Sequence, residues 1–116
     1  MAAVTPLARD VLALNVAKEI TITSKSAAFG ADAKGGDYKV LFLFANAGNA
    51  AATVTIAAGD GPAGGGQNLQ FSAAASKTTA IVVDSGYFKN YSGDYKDCYK
   101  VTPSAALSVS IIELPQ

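Results

Sequence analysis

Few side chains in this chain are equipped for chemistry. Histidine and tryptophan are absent, and Cys98 is the only cysteine. Loss of histidine removes the commonest general base and metal ligand, and with it every Ser-His-Asp or Cys-His arrangement. A lone cysteine makes no internal disulfide and no thiolate metal site. Asp94 and Asp97 are spaced to touch a cation, but no third carboxylate follows at calcium-loop spacing. Gly59, Gly61 and Gly64, with Asp84 beyond them, match the letters of a dinucleotide-binding fingerprint. That fingerprint needs a helix to start there, so that its N-terminal amides meet the pyrophosphate. Asn68-Leu69-Gln70-Phe71-Ser72-Ala73 instead has the pattern of a strand, and no Gly-Lys-Ser/Thr ending supplies a phosphate loop. Gly59 to Gln67 therefore reads as a wide exposed connection. The expected class is a non-enzymatic protein with no cofactor.

What remains able to act is surface. Lys89 to Tyr99 reads Lys-Asn-Tyr-Ser-Gly-Asp-Tyr-Lys-Asp-Cys-Tyr. Tyrosines among Asn, Ser, Gly and Asp have the make-up of a binding loop, because a tyrosine ring gives large contact area at low entropic cost. Tyr91, Tyr95 and Tyr99, with Tyr87 nearby, form either a platform on which a sugar or protein stacks or a cover for the end of the fold. Asn90-Tyr91-Ser92 fits a glycosylation acceptor, but no secretory leader pattern accompanies it.

Charge narrows the partners. Nine basic residues balance nine acidic ones, and the basic ones are scattered singly from Arg9 to Lys100. Displacing phosphate counterions takes clustered positive charge, so nucleic acid is not an expected partner. A membrane surface is not expected either, for want of a basic helix, and no apolar run approaches the roughly 20 residues of a spanning helix. The layout is that of a protein made in a cytoplasm.

The elements that position these residues are strands. A length of 116 residues fits one domain with a single core. Tyr38 to Ala58 is the clearest hairpin: Tyr38, Val40, Phe42 and Phe44 fall on one side, Leu41 and Leu43 on the other, Val54 and Ile56 face one way in the partner strand, and Asn46, Gly48 and Asn49 supply the turn. Both faces of the first strand want cover. Glu19 to Thr23 alternates and is expected as a strand with Ile20 and Ile22 inward. Ser24 to Asp37 is expected as a surface loop ending in the turn Lys34-Gly35-Gly36-Asp37. Further strands are expected at Leu69 to Ala73, Lys77 to Val83, Tyr99 to Thr102 and Ala105 to Glu113, the last with Leu107, Val109 and Ile111 inward and Ser108, Ser110 and Ile112 outward. Asp84-Ser85-Gly86 is a turn, and Pro115 stops the last pairing.

Residues 1–18 are ambiguous between a helix and a strand. They form an N-terminal arm, or a first strand or flap, ahead of a single domain spanning 19–116. About seven or eight short strands at this spacing predict an all-β fold, an antiparallel β-sandwich of jelly-roll-like type, with Greek-key and jelly-roll connectivity indistinguishable by pattern.

Three runs carry a resemblance to a known family: Ala51-Ala52-Thr53-Val54-Thr55-Ile56-Ala57-Ala58-Gly59-Asp60-Gly61, Val83-Asp84-Ser85-Gly86-Tyr87-Phe88-Lys89, and Val109-Ser110-Ile111-Ile112-Glu113-Leu114-Pro115. The chain after about Ile20 resembles the small decoration, or cement, proteins of tailed-bacteriophage heads. The resemblance implies a β-rich unit, often trimeric, that sits on the outside of the virion shell, binds the major capsid protein and holds it against internal pressure. Under that implication Leu7, Arg9, Val11, Leu12 and Leu14 are the candidate capsid contact, and Leu41, Leu43, Tyr91, Tyr95 and Tyr99 are the candidate subunit or ligand contact. Deleting residues 1–18 is expected to abolish capsid binding and leave the fold intact. The competing class is a carbohydrate-binding or adhesive sandwich using the Tyr-rich loop.

Overall fold

The computed structural model describes residues 7–32, 40–59, 67–83 and 88–114. The fold is all-β. Nine strands are described: β1 (Asp10–Val11), β2 (Thr23–Lys25), β3 (Phe29–Asp32), β4 (Val40–Asn46), β5 (Ala52–Ile56), β6 (Leu69–Ala73), β7 (Lys77–Val82), β8 (Cys98–Pro103) and β9 (Leu107–Glu113). They make two sheets. One runs β1-β9-β4-β7, with β2 also paired to β9, and the other runs β3-β8-β5-β6. All strand pairings are antiparallel except β1 with β9.

Period-two alternation sets what each strand buries. Along β4, Val40, Phe42 and Phe44 are buried while Leu41, Leu43 and Ala45 are half-exposed. Ala52, Val54 and Ile56 of β5 are buried, as are Val101 of β8 and Leu107, Val109 and Ile111 of β9. The two sheets meet through these side chains in one cluster. Phe42 packs edge-on against Tyr99 of the other sheet, ring centroids 5.5 Å apart, and Phe44 lies 5.6 Å from Phe71. Burying each such side chain is worth about 1.5–3 kcal/mol, and aromatic pairs of this geometry add about 0.5–1.5 kcal/mol.

The expected hairpin is not one. β4 pairs with β7 on one side and β9 on the other, whereas β5 pairs with β6 and β8. Both edges of β4 are taken within its own sheet, so the chain crosses from one sheet to the other between Asn46 and Ala52. Asn46 holds that crossing. Its buried amide donates to the carbonyls of Ala50 (2.9 Å) and Ala73 (3.0 Å), and its Oδ1 accepts from the Gly48 amide (2.9 Å).

Glu19 to Thr23 also departs from expectation. Only Thr23 joins β2, Ile20 is half-buried and Ile22 is exposed. Thr23 stands opposite Val109, so continuing that register would set Ile20 opposite Ile112, the place that Asp10 of β1 already holds. The stretch expected as a loop from Ser24 contains the rest of β2 and all of β3, where Phe29 and Ala31 are buried. Its turn at Lys34 to Asp37, the turn at Asp84 to Gly86 and Tyr87 lie outside the described residues. Leu69, Phe71 and Ala73 share one face of β6, and Thr79, Ile81 and Val83 share the more buried face of β7 and its extension. On β9, Ser110 and Ile112 do point away from Ile111, yet both are buried.

Candidate interaction surfaces

The N-terminal segment ties the two sheets together. Leu7 forms a parallel bridge beside β3: its amide donates to the Gly30 carbonyl at 2.7 Å, and the Asp32 amide donates to the Leu7 carbonyl at 3.0 Å. Three residues later Asp10 and Val11 run parallel to Ile112 and Glu113 of the other sheet, and the Leu12 amide donates to the Glu113 carbonyl at 2.9 Å. Arg9 sits between. Its Nε lies 2.7 Å from Glu113 Oε1, and its Nη1 donates to the Asp32 carbonyl at 3.4 Å. Residues 7–12 thus form a strap across one side of the fold.

Beyond the strap the chain makes an exposed loop. Asn15 adopts a φ of 63°, the left-handed conformation that asparagine tolerates better than most residues. The Thr21 amide donates to Asp10 Oδ2 at 2.8 Å and closes the base of the loop. Val11, Leu14, Val16 and Ile22 are 52%, 75%, 62% and 68% exposed. Of the five candidate capsid-contact residues, Leu7 and Arg9 are therefore held against the body of the fold, Leu12 is half-buried, and Val11 and Leu14 face outward.

Leu41 and Leu43 lie on the outer face of the five-stranded sheet. Register sets them in rows: Val82, Leu41 and Ile112 in one, Ala80, Leu43 and Ser110 in the next, Thr78, Ala45 and Ser108 in the third. Across β7, β4 and β9 these rows carry no charge, and Asp10 of β1 continues the first beside Ile112. The outer face of the other sheet presents Thr53, Thr55, Gln70, Ser72, Lys100 and Thr102, with Gln70 Nε2 donating to Thr55 Oγ1 at 3.1 Å. Val16, Ile22 and Val82 were not among the candidate contacts. Ile22 was reachable only as part of a strand pattern that points it inward.

The tyrosine loop is closed at its base. Lys89 bridges to Tyr99, and both the backbone and side-chain amides of Asn90 donate to the Cys98 carbonyl, at 3.0 and 3.1 Å. The Asp97 amide donates to the Asn90 carbonyl at 2.8 Å. Gly93 at the tip has a φ of 79°, open to glycine without a Cβ penalty. Lys89 Nζ lies 5.4 Å from the centre of the Tyr91 ring and Lys100 Nζ 5.3 Å from that of Tyr95, within cation–π range. Tyr91 is exposed and Tyr95 half-buried. Tyr99 corrects the sequence expectation: it faces the interior with no exposed surface, packed on Phe42, and is not available for contact. Being next to buried Cys98 at the start of β8, it is where the loop ends and the core begins.

Cys98 is buried and free. Burial pushes its thiol pKa up, and the neighbouring carboxylates of Asp32 and Asp97 push it further, so the thiol stays neutral and unreactive at ordinary pH. Among the described residues no three carboxylate, thiol or imidazole groups gather as a metal ion requires.

What the geometry defines is an all-β domain of two packed sheets whose distinctive features are surfaces. Compared with known protein families, with curated proteins and with solved structures, the chain finds no match.

Proposed function

We propose that this protein is a non-enzymatic structural component of a tailed-phage virion, a homo-oligomer of trimeric type that decorates the outer capsid surface and stabilises the major capsid protein. The observation that carries this reading is the apolar exposure along the chain from the end of β1 to the start of β2, at Val11, Leu14, Val16 and Ile22. Four large apolar side chains exposed within twelve residues of chain are what a protein partner would cover. Copies repeated on a lattice gain avidity, so each contact need bury little area. We propose also that the connectivity is that of a jelly roll. Supporting it are the orders β2-β9-β4-β7 and β3-β8-β5-β6, in which every consecutive pair from β2 to β9 changes sheet except β5 and β6. Viral capsid proteins and lectins both use such a fold, so by itself it does not choose between them.

The test is co-sedimentation with expanded heads assembled from the major capsid protein of the same phage. Saturable binding that falls when Leu14 and Val16 are changed to aspartate supports the assignment, and heads that pellet alone refute it. A second reading, a carbohydrate-binding module, draws on Tyr91 and Tyr95, each presented by the closed loop with a lysine ammonium over its ring. A specific glycan-array signal lost in Tyr91→Ala would favour it.

A further inference from the structure

Three observations converge on one contact. First, β7 is an edge strand: among the described residues it pairs only with β4. Its one-to-one register from Lys77 to Val82 has no bulge, it contains no proline, and its single charge stands at its start. Edges are normally blunted by such devices, and a bare one is a template for another strand. Second, Val16 to Ile22 ends in alternating, strand-forming sequence yet pairs with no strand among the described residues, and Val16 and Ile22 are mostly exposed. Third, it cannot pair within its own sheet while β1 holds the edge of β9 opposite Ile112. The Thr21 amide points back to Asp10, so in an extended run the backbone groups of Ile20 and Ile22 point the other way.

We propose that residues 16–22 of one copy add as a strand to the β7 edge of a second copy. The donor lies on the β1/β2 side of the five-stranded sheet and the acceptor on the opposite side, so the contact is head-to-tail and every copy both gives and receives. Backbone hydrogen bonds supply the affinity, as in other strand additions. Ile22 and Val82, both apolar and exposed, come under cover together. The donor shares Val16 and Ile22 with the surface proposed for the capsid, so the two readings are separated at the acceptor, where Val82 belongs to this contact alone.

Complementation tests it. Val82→Lys blocks the acceptor edge and Ile22→Asp spoils the donor; both positions are more than half exposed, so circular dichroism should show each variant folded, and Thr78→Lys and Val16→Asp replace any that is not. In sedimentation velocity the wild type is expected above monomer mass, each variant alone at monomer mass, and an equimolar mixture at twice monomer mass and no larger, since one donor and one acceptor remain. A monomeric wild type at high micromolar concentration overturns the proposal. So does a mixture that stays monomeric, or association lost in Val82→Lys but kept in Ile22→Asp, which would mean β7 edges pairing with each other. Capsid co-sedimentation of the monomeric Val82→Lys variant reads the virion assignment separately, because Val82 lies on β7, away from the apolar residues proposed to meet the capsid.

Discussion

The strap across the sheets makes a quantitative prediction at Arg9. In Arg9→Ala the Glu113 carboxylate loses a charged partner at 2.7 Å in a place where the two side chains are only 13% and 19% exposed. Hydrogen bonds to charged groups contribute about 1.5–3 kcal/mol, and an abandoned, largely buried partner puts the loss within that range, at about 2 kcal/mol. For 116 residues, an unfolding entropy of about 2.1 cal/mol/K per residue amounts to about 0.24 kcal/mol/K, so the melting temperature should fall by about 8 °C. Thermal melts of Arg9→Ala, Glu113→Gln and the double variant form a cycle in which the pair should couple by about 1–2 kcal/mol. Hydrogen exchange localises the effect. The Asp32 and Leu12 amides, which the strap holds through Leu7 and Glu113, should exchange faster in Arg9→Ala, while the Phe42 amide should change only as much as global stability does. A melting shift below about 2 °C, or a cycle without coupling, would show that Arg9 does not fasten the sheets together.

Other expectations follow from the interior. Asn46→Ala strips three hydrogen bonds from the crossing between β4 and β5 and should cost about 2–3 kcal/mol, read as a shift in the urea midpoint. Gly59→Ala sets a Cβ 2.3 Å from the Lys89 carbonyl oxygen, a backbone clash that should destabilise by about 1–3 kcal/mol in the same assay. Phe42→Ala should cost about 3–5 kcal/mol, seen as a lower melting temperature or loss of the folded state. Cys98 predicts a pH dependence. Its folded pKa is raised above the usual 9.0, so as pH climbs past 9.0 the unfolded chain releases the thiol proton first and stability falls. Cys98→Ala should show a shallower decline in melting temperature between about pH 8.5 and 10.5, and an identical slope would rule out the burial of the thiol as its cause.

The sequence announces strands better than their neighbours. Alternation picks out β4, β5, β6, β7, β8 and β9 because each buries one row of side chains, and it reads the inward row of β9 correctly. Pairing depends on contacts distant in sequence, so Val40 to Ile56 has the local pattern of a hairpin although β7 and β9 take both edges of β4. β3 escaped notice because Phe29-Gly30-Ala31-Asp32 has a single large apolar residue and relies on tight packing of small ones. The Glu19 to Thr23 pattern is genuine strand sequence displaced by competition from Asp10 and Val11, which no local rule can see. Tyr99 was grouped with the loop tyrosines by composition, whereas its place beside Cys98 in β8 sends it into the core. The exposed apolar side chains are half legible: Val11 and Leu14 stand out by type, whereas Val16 and Ile22, and Val82 on β7, stand out only by their exposure.

One strand fixes when this molecule can exist at all. β9 is the middle neighbour of its sheet, flanked by β1 and β2 on one side and β4 on the other, yet it leaves the ribosome after every strand it pairs with. Until Leu107 to Glu113 emerge, β1 and β2 have nothing to pair with and the rings of Phe42 and Phe44 lack half their cover. Synthesis therefore passes through a long stage in which the nascent chain is sticky and unfinished, and a stop codon placed before residue 107 should yield insoluble material rather than a smaller domain.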